Sequence, residues 1–536
     1  MKGILRFHLK VHFQFKVAKK SYLDVCTFLN MTKKQVMSSR IQWTIHIGVL
    51  VLISFTNAYS IIPAATKPKR IDNNLKDICE SIKNKARHTQ VFYSPDPNYF
   101  EDIKHYAISS TQYPACTVEP STADDVAIIM KIVQENRVPF AVKGGGHSAN
   151  PLFSSTIGVH IAMRRFSNVI VHADNQTVDV GPGLFWDDVY KALEPHNINV
   201  VGGRVSGVGV AGFTLGGGYS WKSNQFGLAI DNVIGYELVT PNGTIVDVTN
   251  NSYPDLFFGL KGGFNNFGIV TNFRLHAHPQ TQVYGGLLVY IDEQRFDDVL
   301  KAVMDFRDNN KDPKAQALVS FTPQTGLVTF DVTLFYDAPR APDDTFKKFI
   351  NIPHMGTLKT RSFLSFVKVV PIYVTDGRRG RFHTVSVTNL TDRVFQELKN
   401  QTIYNAAKFD SKLDAFASFT AEPFLPTYFD KSQGGAYPHC PSTTPLLPIF
   451  LQFSWRLPAD DDYFVNEIKL SADAILQAAL YNGQNSNATK QIRYPNYALD
   501  STTLSEMYGD NVARLQSIRK AWDTDSVMNP TGGFKF

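Results

Sequence analysis

Residues 139–150 read PFAVKGGGHSAN: a short apolar strand pattern, three glycines, then a histidine and a serine. Glycine loses more backbone freedom on folding than any other residue, so a triplet costs order. What it offers in return is backbone N–H groups that can converge on an anion with no Cβ in the way. Two more segments share this texture, VGVAGFTLGGGYS at 208–220 and KGGFNNFGIV at 261–270. One such loop signals only a bulge or a tight turn. Three in half of a chain, each beside a strand or helix pattern, point to an extended ligand with a pyrophosphate. No GxxxxGK[ST] occurs and no GxGxxG opens a helix within a βαβ unit, which disfavours a nicotinamide Rossmann domain.

The chain around these loops has 536 residues, 43% hydrophobic and 12% aromatic, enough for a large core and too long for one ordinary domain. Residues 1–60 hold nine Lys or Arg and one acid, Asp24, a net of +8; the remaining 45 bases and 47 acids give −2. The body therefore carries no charge argument for nucleic acid or an anionic membrane. Within the leader, Met37 and Arg40 precede an apolar run to Phe55 and a small-residue end, AYS, at 58–60. That is the layout of a secretory signal, and the run is shorter than the roughly 20 apolar residues of a membrane span. Residues 1–36 are either a true extension or an upstream start. Secretion predicts a disulfide from Cys79, Cys116 and Cys440; the first two flank the entry to the first domain and are paired, leaving Cys440 a buried thiol. No CxxC occurs, so a zinc site has little support. Sequons at Asn175, Asn242, Asn250, Asn389, Asn400 and Asn487 predict exposed, glycosylated turns.

Local patterns place these motifs. Ser121 or Thr122 caps a helix with Val126, Ile129, Met130 and Val133 on one face. Trp186, Val189, Tyr190 and Leu193 mark a second helix. GYELVTPNGTIVDV (235–248) is a hairpin turning at Pro241, Asn242 and Gly243. From about Tyr284 glycine thins out, and strand patterns alternate with helical ones, an α+β domain with a sheet large enough to roof a site.

His147 follows the glycines directly, so its ring is expected to point into the site. Neutral imidazole is a nucleophile near physiological pH. An oxidised flavin carries an activated methyl at its ring edge, and a histidine fixed by a glycine loop suits a covalent tether to it.

The order of KGGGHS (143–148), VGVAGFTLGGGYS, GLKGGFNNFGIVTNF (259–273) and YPNY (494–497) resembles the fungal branch of the berberine-bridge-enzyme-like FAD oxidases, from about residue 70 to 536. These belong to the vanillyl-alcohol-oxidase superfamily. The resemblance implies an α+β fold: a PCMH-type two-subdomain FAD-binding domain with an inserted α+β substrate domain whose antiparallel sheet covers the flavin. It divides the chain into a leader (1–60, signal peptide about 37–60), an FAD-binding domain (61–282), a substrate domain (283–490) and a C-terminal segment (491–536) that completes the FAD domain. It sets Gly144, Gly145, Gly146, His147 and Ser148 against the pyrophosphate and isoalloxazine edge, with His147 forming the 8α-histidyl bond. Gly181 and Gly183 lie on a neighbouring loop. Thr214, Leu215, Gly216, Gly217 and Gly218 follow the diphosphate and ribityl path, and Gly268, Ile269 and Val270 hold the adenine side. Tyr494, Asn496 and Tyr497 return to face the flavin.

Two departures from the family pattern matter. Val205 stands where many relatives have a second, cysteinyl link, so one covalent bond is expected. In LPIFLQFSW (447–455), Phe450 falls near the position of the family's acid and Gln452 is the polar side chain nearby. The plant-type glutamate base is therefore expected to be missing. Tyr497 or Tyr494 becomes the proton acceptor, with Lys143 or Arg493 lowering its pKa or a shared relay doing so. The implied activity is that of a secreted FAD-dependent oxidase of a small molecule. It moves a hydride from a C–H of an alcohol-like or secondary-metabolite substrate to flavin N5, and O2 reoxidises the flavin to give H2O2. A carbohydrate C1 oxidase and a flavin-binding protein without turnover are the alternatives. With five Trp in the chain, two of them in the leader and tail, sugar stacking is the less favoured of the enzymatic readings.

Overall fold

The structure, a computed structural model, describes residues 73–536 except 325–326, 371–374, 376, 410, 440, 442–445, 482 and 485–491. The leader with its signal, Cys440 and Asn487 lie outside the described residues.

The first sheet holds β1 (Gln90–Phe92), β2 (Cys116–Glu119), β3 (Phe140–Lys143) and β4 (Val159–Ala162) in the order β1-β2-β4-β3. β4 runs parallel to both of its neighbours, and β1 is antiparallel to β2. Helix α1 (Asn73–Lys85) is tied to β2 by the expected Cys79–Cys116 disulfide, which spans 37 residues. Closing a loop of that length stabilises by about 4 kcal/mol in the chain-entropy account. Helix α2 (Ala123–Asn136) links β2 to β3; Thr122 caps it by accepting from the Asp125 N–H at 3.1 Å. Val126, Ile129, Met130 and Val133 are all buried, as their spacing predicts.

The second sheet is antiparallel: β5 (Val169–Val171), β6 (Thr177–Val180), β7 (Val233–Val239), β8 (Ile245–Thr249) and β9 (Ile269–His276), ordered β5-β6-β9-β7-β8. The hairpin β7–β8 turns where expected, with Gly243 at φ +78°. Helix α3 (Trp186–Leu193) buries its predicted face. Helix α4 (Val210–Leu215) forms inside the second glycine segment. Gly207–Gly212 thus has a GxGxxG spacing and does open a helix, but its entry is an isolated antiparallel bridge, Phe185 to Gly209, rather than a strand of a parallel sheet.

The six long strands of the third, eight-stranded sheet are β10 (Val283–Tyr290), β11 (Ala315–Gln324), β12 (Leu327–Tyr336), β13 (Arg379–Val387), β14 (Phe416–Ala421) and β15 (Leu447–Trp455), with Met355–Gly356 and Lys359–Arg361 on the outer edge of β10. Their order is β10-β12-β11-β14-β15-β13, antiparallel throughout. Helices α5 (Phe296–Asn309), α6 (Asp392–Phe409) and α7 (Asp461–Tyr481) share one core with this sheet: Val299, Val303, Phe395, Leu398, Phe464 and Ile468 cluster with Val319, Phe321, Phe330, Val332 and Leu334. Strand side chains alternate between faces, so the residues between these point the other way.

Chain beyond residue 492 returns to the first half. The Asn150 amide donates to Ala498 O at 2.8 Å, the Tyr508 hydroxyl to Gly262 O at 3.1 Å, and the Asn266 amide to Phe534 O at 2.9 Å. Of the described sequons, Asn175, Asn242, Asn250 and Asn389 are exposed in turns or loops; Asn400 is exposed but lies within α6, not in a turn. Among the described residues no helix is long and apolar enough to cross a membrane, and no cluster of His, Cys, Asp or Glu is placed to hold a metal.

Candidate active site

A cavity of about 570 Å³ opens between the glycine loops and the third sheet. That volume lies within the roughly 300–1,000 Å³ typical of small-molecule and cofactor sites. Gly144, Gly145, Gly146, His147 and Ser148 line it, as do Leu215, Gly268, Ile269, Val270 and Asn496. Two glycines explain how the loops close. A Cβ on Gly145 would sit 2.5 Å from Gly209 Cα, and one on Gly209 would sit 2.6 Å from Gly145 Cα, so the two loops touch backbone to backbone.

Not every glycine of the motifs lines the cavity. A Cβ on Gly181 would meet Phe166 O at 2.1 Å and one on Gly183 would meet Met163 O at 2.1 Å, so both pack against the preceding chain behind the wall. Thr214 is buried and donates back to Val210 O within α4. Gly216, Gly217 and Gly218 sit under the C-terminal return: a Cβ on Gly216 would strike the Asn496 side chain at 2.3 Å, and the Gly218 N–H donates to the Tyr494 hydroxyl at 2.8 Å. These glycines make room for the tail that closes the site.

His147 leaves the loop with Nδ1 3.2 Å from Gly207 O. Its ring stacks on Tyr106, centroids 4.3 Å apart, and Phe382 lies at 6.1 Å. The Gln452 amide donates to the Tyr106 hydroxyl at 2.8 Å, so Gln452 supports the histidine end of the cavity. Val205, on the segment just before Gly207, also lines the cavity.

The third sheet supplies the opposite wall in transverse rows. Val289, Asp331, Ser320, Thr420 and Phe450 pair across five strands and all line the cavity. Beside them run Leu287, Thr333 and Leu318, with Glu422 just past the end of β14. The sequence left this wall without a carboxylate near the tyrosines, and Glu422 supplies one. The expected position on β15 is indeed Phe450, but a buried glutamate comes from the chain leaving the neighbouring strand. Arg204 Nη2 donates to Glu422 Oε1 at 2.7 Å and also to the Tyr497 hydroxyl, and that hydroxyl donates to Glu422 Oε1 at 3.1 Å. Among the described residues, Glu422 Oε2 and Arg204 Nη1 are buried without a hydrogen-bond partner.

Burial pushes the Tyr497 phenol well above its ordinary pKa, with the Arg204 cation pulling the other way. Tyr497 is therefore a neutral phenol between a cation and a carboxylate, which suits a relay rather than a standing phenolate. Tyr494 differs: its hydroxyl accepts from the Gly218 N–H and the Asn496 amide, and burial raises it to about 12. The two cations considered from sequence lie elsewhere. Arg493 donates to His383 and pairs with Glu506, and burial lowers Lys143 to about 8 in a cluster with Asp102, Arg164 and Glu119. The cation beside the tyrosine is Arg204, which precedes the second glycine segment and carries no signal of its own in the sequence.

A dinucleotide fits this wall by its donors. The N–H groups of Gly145, Gly146 and Ser148 meet no acceptor among the described residues, and converging main-chain donors of this kind suit a pyrophosphate. A Cβ on Gly212 would meet nothing within 4 Å, so the wall at α4 is open for a flat ligand to approach.

Fold and site together define an FAD-linked oxidoreductase with a sheet-roofed cavity. Residues 114–249 match the FAD binding domain family. FAD-dependent monooxygenase drtC of Aspergillus calidoustus is 30% identical over 85% of this chain and 90% of its own length. An uncharacterized FAD-linked oxidoreductase of Arthroderma benhamiae is 38% identical over 50% of this chain and 54% of its own. Among solved structures, wild-type BBE-like 1 of Physcomitrella patens superposes with a TM-score of 0.70 at 19% identity, covering 86% of this chain and 98% of its own. The carbohydrate oxidase from Microdochium nivale, in complex with a substrate analogue, superposes at 0.68 and 20% identity, covering 86% and 100%. The chain belongs to the berberine-bridge-enzyme-like family of FAD-linked oxidoreductases.

Proposed function

We propose that the chain is a secreted oxidase of an alcohol-like small molecule, holding FAD through a single covalent bond at His147. Residues 61–282 and 491–536 form the FAD-binding domain on this reading, and 283–490 the substrate domain. The observation that carries it is the meeting in the cavity of Glu422, from the end of β14, with Tyr497 of the C-terminal return and Arg204 of the chain before the second glycine segment. When bound, FAD supplies two-electron oxidation of a C–H bond, with O2 as the final acceptor and H2O2 as product. Tyr497 accepts the substrate's hydroxyl proton while passing its own to Glu422, and Arg204 holds both groups in register. The backbone of 144–148 carries the pyrophosphate, and Gln452 and Tyr106 fix the His147 ring for its bond.

The carbohydrate reading loses support at the wall itself, since among the described residues no Trp lines the cavity and Trp186, Trp221 and Trp455 are fully buried. Relatives named as monooxygenases set a different rival, insertion of an oxygen atom. The test is to express residues 61–536 by a secretory route, denature in acid and follow the yellow colour. Flavin staying with the polypeptide, and peroxide formed with an alcohol donor, are the expected results. Free flavin in the supernatant sinks the covalent bond, and label from ¹⁸O₂ in the organic product replaces the oxidase with a monooxygenase.

A further inference from the structure

The proton relay leaves one carboxyl of the cavity without a task. Asp331 lies in the middle of β12, on the sheet face that lines the cavity, between Val289 and Ser320 in its row. The hydroxyls of Thr322 and Thr329 both donate to Oδ2, each at 3.1 Å. Among the described residues no donor reaches Oδ1, and no Lys, Arg or His pairs with the carboxylate. The second carboxylate of the lining, Glu422, is matched by Arg204. With histidine neutral, Arg204 (+1), Glu422 (−1) and Asp331 (−1) leave the lining one negative charge in excess. The row and same-face neighbours of Asp331 are Val289, Ser320, Thr329 and Thr333, neutral side chains with no cation among them, and a charge in such a partly apolar cavity is less screened than in water. Burial accordingly raises the Asp331 carboxyl to about 6, a cost that a bound cation would relieve. A purely structural role, tying the β11–β12 hairpin together through two threonines, uses Oδ2 alone and would be served as well by a neutral amide.

We infer that Asp331 is a specificity-determining residue that receives a protonated amine of the substrate on Oδ1. The inference rests on the reading of this cavity as the substrate site. It also sets a length. From Asp331 to Glu422 the sheet steps across two strands, β12 to β11 to β14, and two residues along the chain from Thr420. At about 4.8 Å per strand and 3.3 Å per residue, the backbone positions are roughly 12 Å apart. The amine and the oxidised carbon therefore belong to one scaffold longer than a single aromatic ring.

The probes are three ligands of one shape: 4-phenylbenzylamine, 4-phenylbenzyl alcohol and 4-phenylbenzoate, titrated by calorimetry into the holoprotein and into Asp331→Asn. Wild type is expected to bind the amine at least tenfold more tightly than the alcohol, with the benzoate weakest. Asp331→Asn is expected to erase that preference, weakening the amine at least tenfold and moving the alcohol less than twofold. Equal affinity for amine and alcohol in wild type, a preference that survives in Asp331→Asn, or no binding by any probe overturns the inference. If Asp331→Asn fails to fold, Asp331→Ser is measured in its place, and the wild-type preference decides independently of both. A colourless protein that still prefers the amine defeats the oxidase reading and keeps this one; a yellow, peroxide-forming protein with no preference does the reverse.

Discussion

One wall of the cavity is made by residues close in sequence, the other by residues that meet only through sheet register. The cofactor wall takes five consecutive residues, 144–148, and a second loop at 209–215, and its fitness for a dinucleotide follows from missing side chains. The substrate wall takes two or three alternate residues each from β10, β12, β11, β14 and β15, and its chemistry follows from which side chains fall on one face. The first kind of wall depends on backbone approach, and where Gly145 meets Gly209 it tolerates no added atom. The second can exchange side chains row by row while the fold stays intact, which lets one family keep its cofactor and change its substrate.

If that contrast holds, the largest effects on rate belong to the relay where the sheet meets the C-terminal return, and should leave the cofactor in place. Tyr497→Phe and Glu422→Gln are each expected to lower kcat by about 10²- to 10⁴-fold, the usual range for a lost proton-transfer group. Flavin content per chain, read from the visible spectrum, should stay at the wild-type level. A large loss of flavin in either variant would show that the two walls are not separable. The converse experiment is Gly209→Ala, whose methyl would meet Gly145. We expect a loss of about 2–4 kcal/mol in stability, by analogy with other backbone clashes, together with reduced flavin content. Unchanged loading would mean that the loops do not need their contact.

Breaking the Cys79–Cys116 bond with a Cys79→Ser, Cys116→Ser pair tests whether the outer sheet of the cofactor half needs an external tie. The expected cost is about 4 kcal/mol, seen as a shifted denaturant midpoint. Acid sharpens the comparison at a smaller scale, because each half contains a buried neutral histidine. Burial, then the nearby Lys143, lowers His105 to about 4; burial, then Arg493, lowers His383 to about 3. Unfolded, both titrate near 6.5, so below that pH the unfolded chain binds more protons and is favoured. Stability is full above pH 6.5 and falls as the pH drops toward those native values, by about 2 kcal/mol per histidine at pH 5. Melting curves at pH 7 and pH 5 measure it, and a flat response would mean these rings are accessible to protons in the native state.

The same contrast explains what could be read from the residues alone. KGGGHS announces itself because adjacent glycines have one physical use, and helices α2 and α3 follow from period and cap. Glu422 was hidden because nothing in its surroundings, TAEPFL, marks a cavity carboxylate; it faces the cavity only because the sheet brings the end of β14 there. Phe450 shares its row with Thr420, so the carboxylate lies one strand over and two residues further along. Arg204 shares this property, since its partners Glu422 and Tyr497 lie 218 and 293 positions away. Gly181, Gly183 and Gly216 show the opposite error: their motif was legible, but their use is to let other chain pack closely.

The tail that covers Gly216 has a consequence for how the protein is made. Cavity-lining residues run from Tyr106 to Phe534, and Tyr494, Asn496 and Tyr497 come long after the glycine loops they close on. A ribosome delivers the loops first, then some two hundred residues of sheet and helix, and only afterwards the segment that seals the site. On the proposed reading cofactor capture comes late in biogenesis: a chain arrested before residue 494 would emerge with its glycine loops complete and its chamber still open.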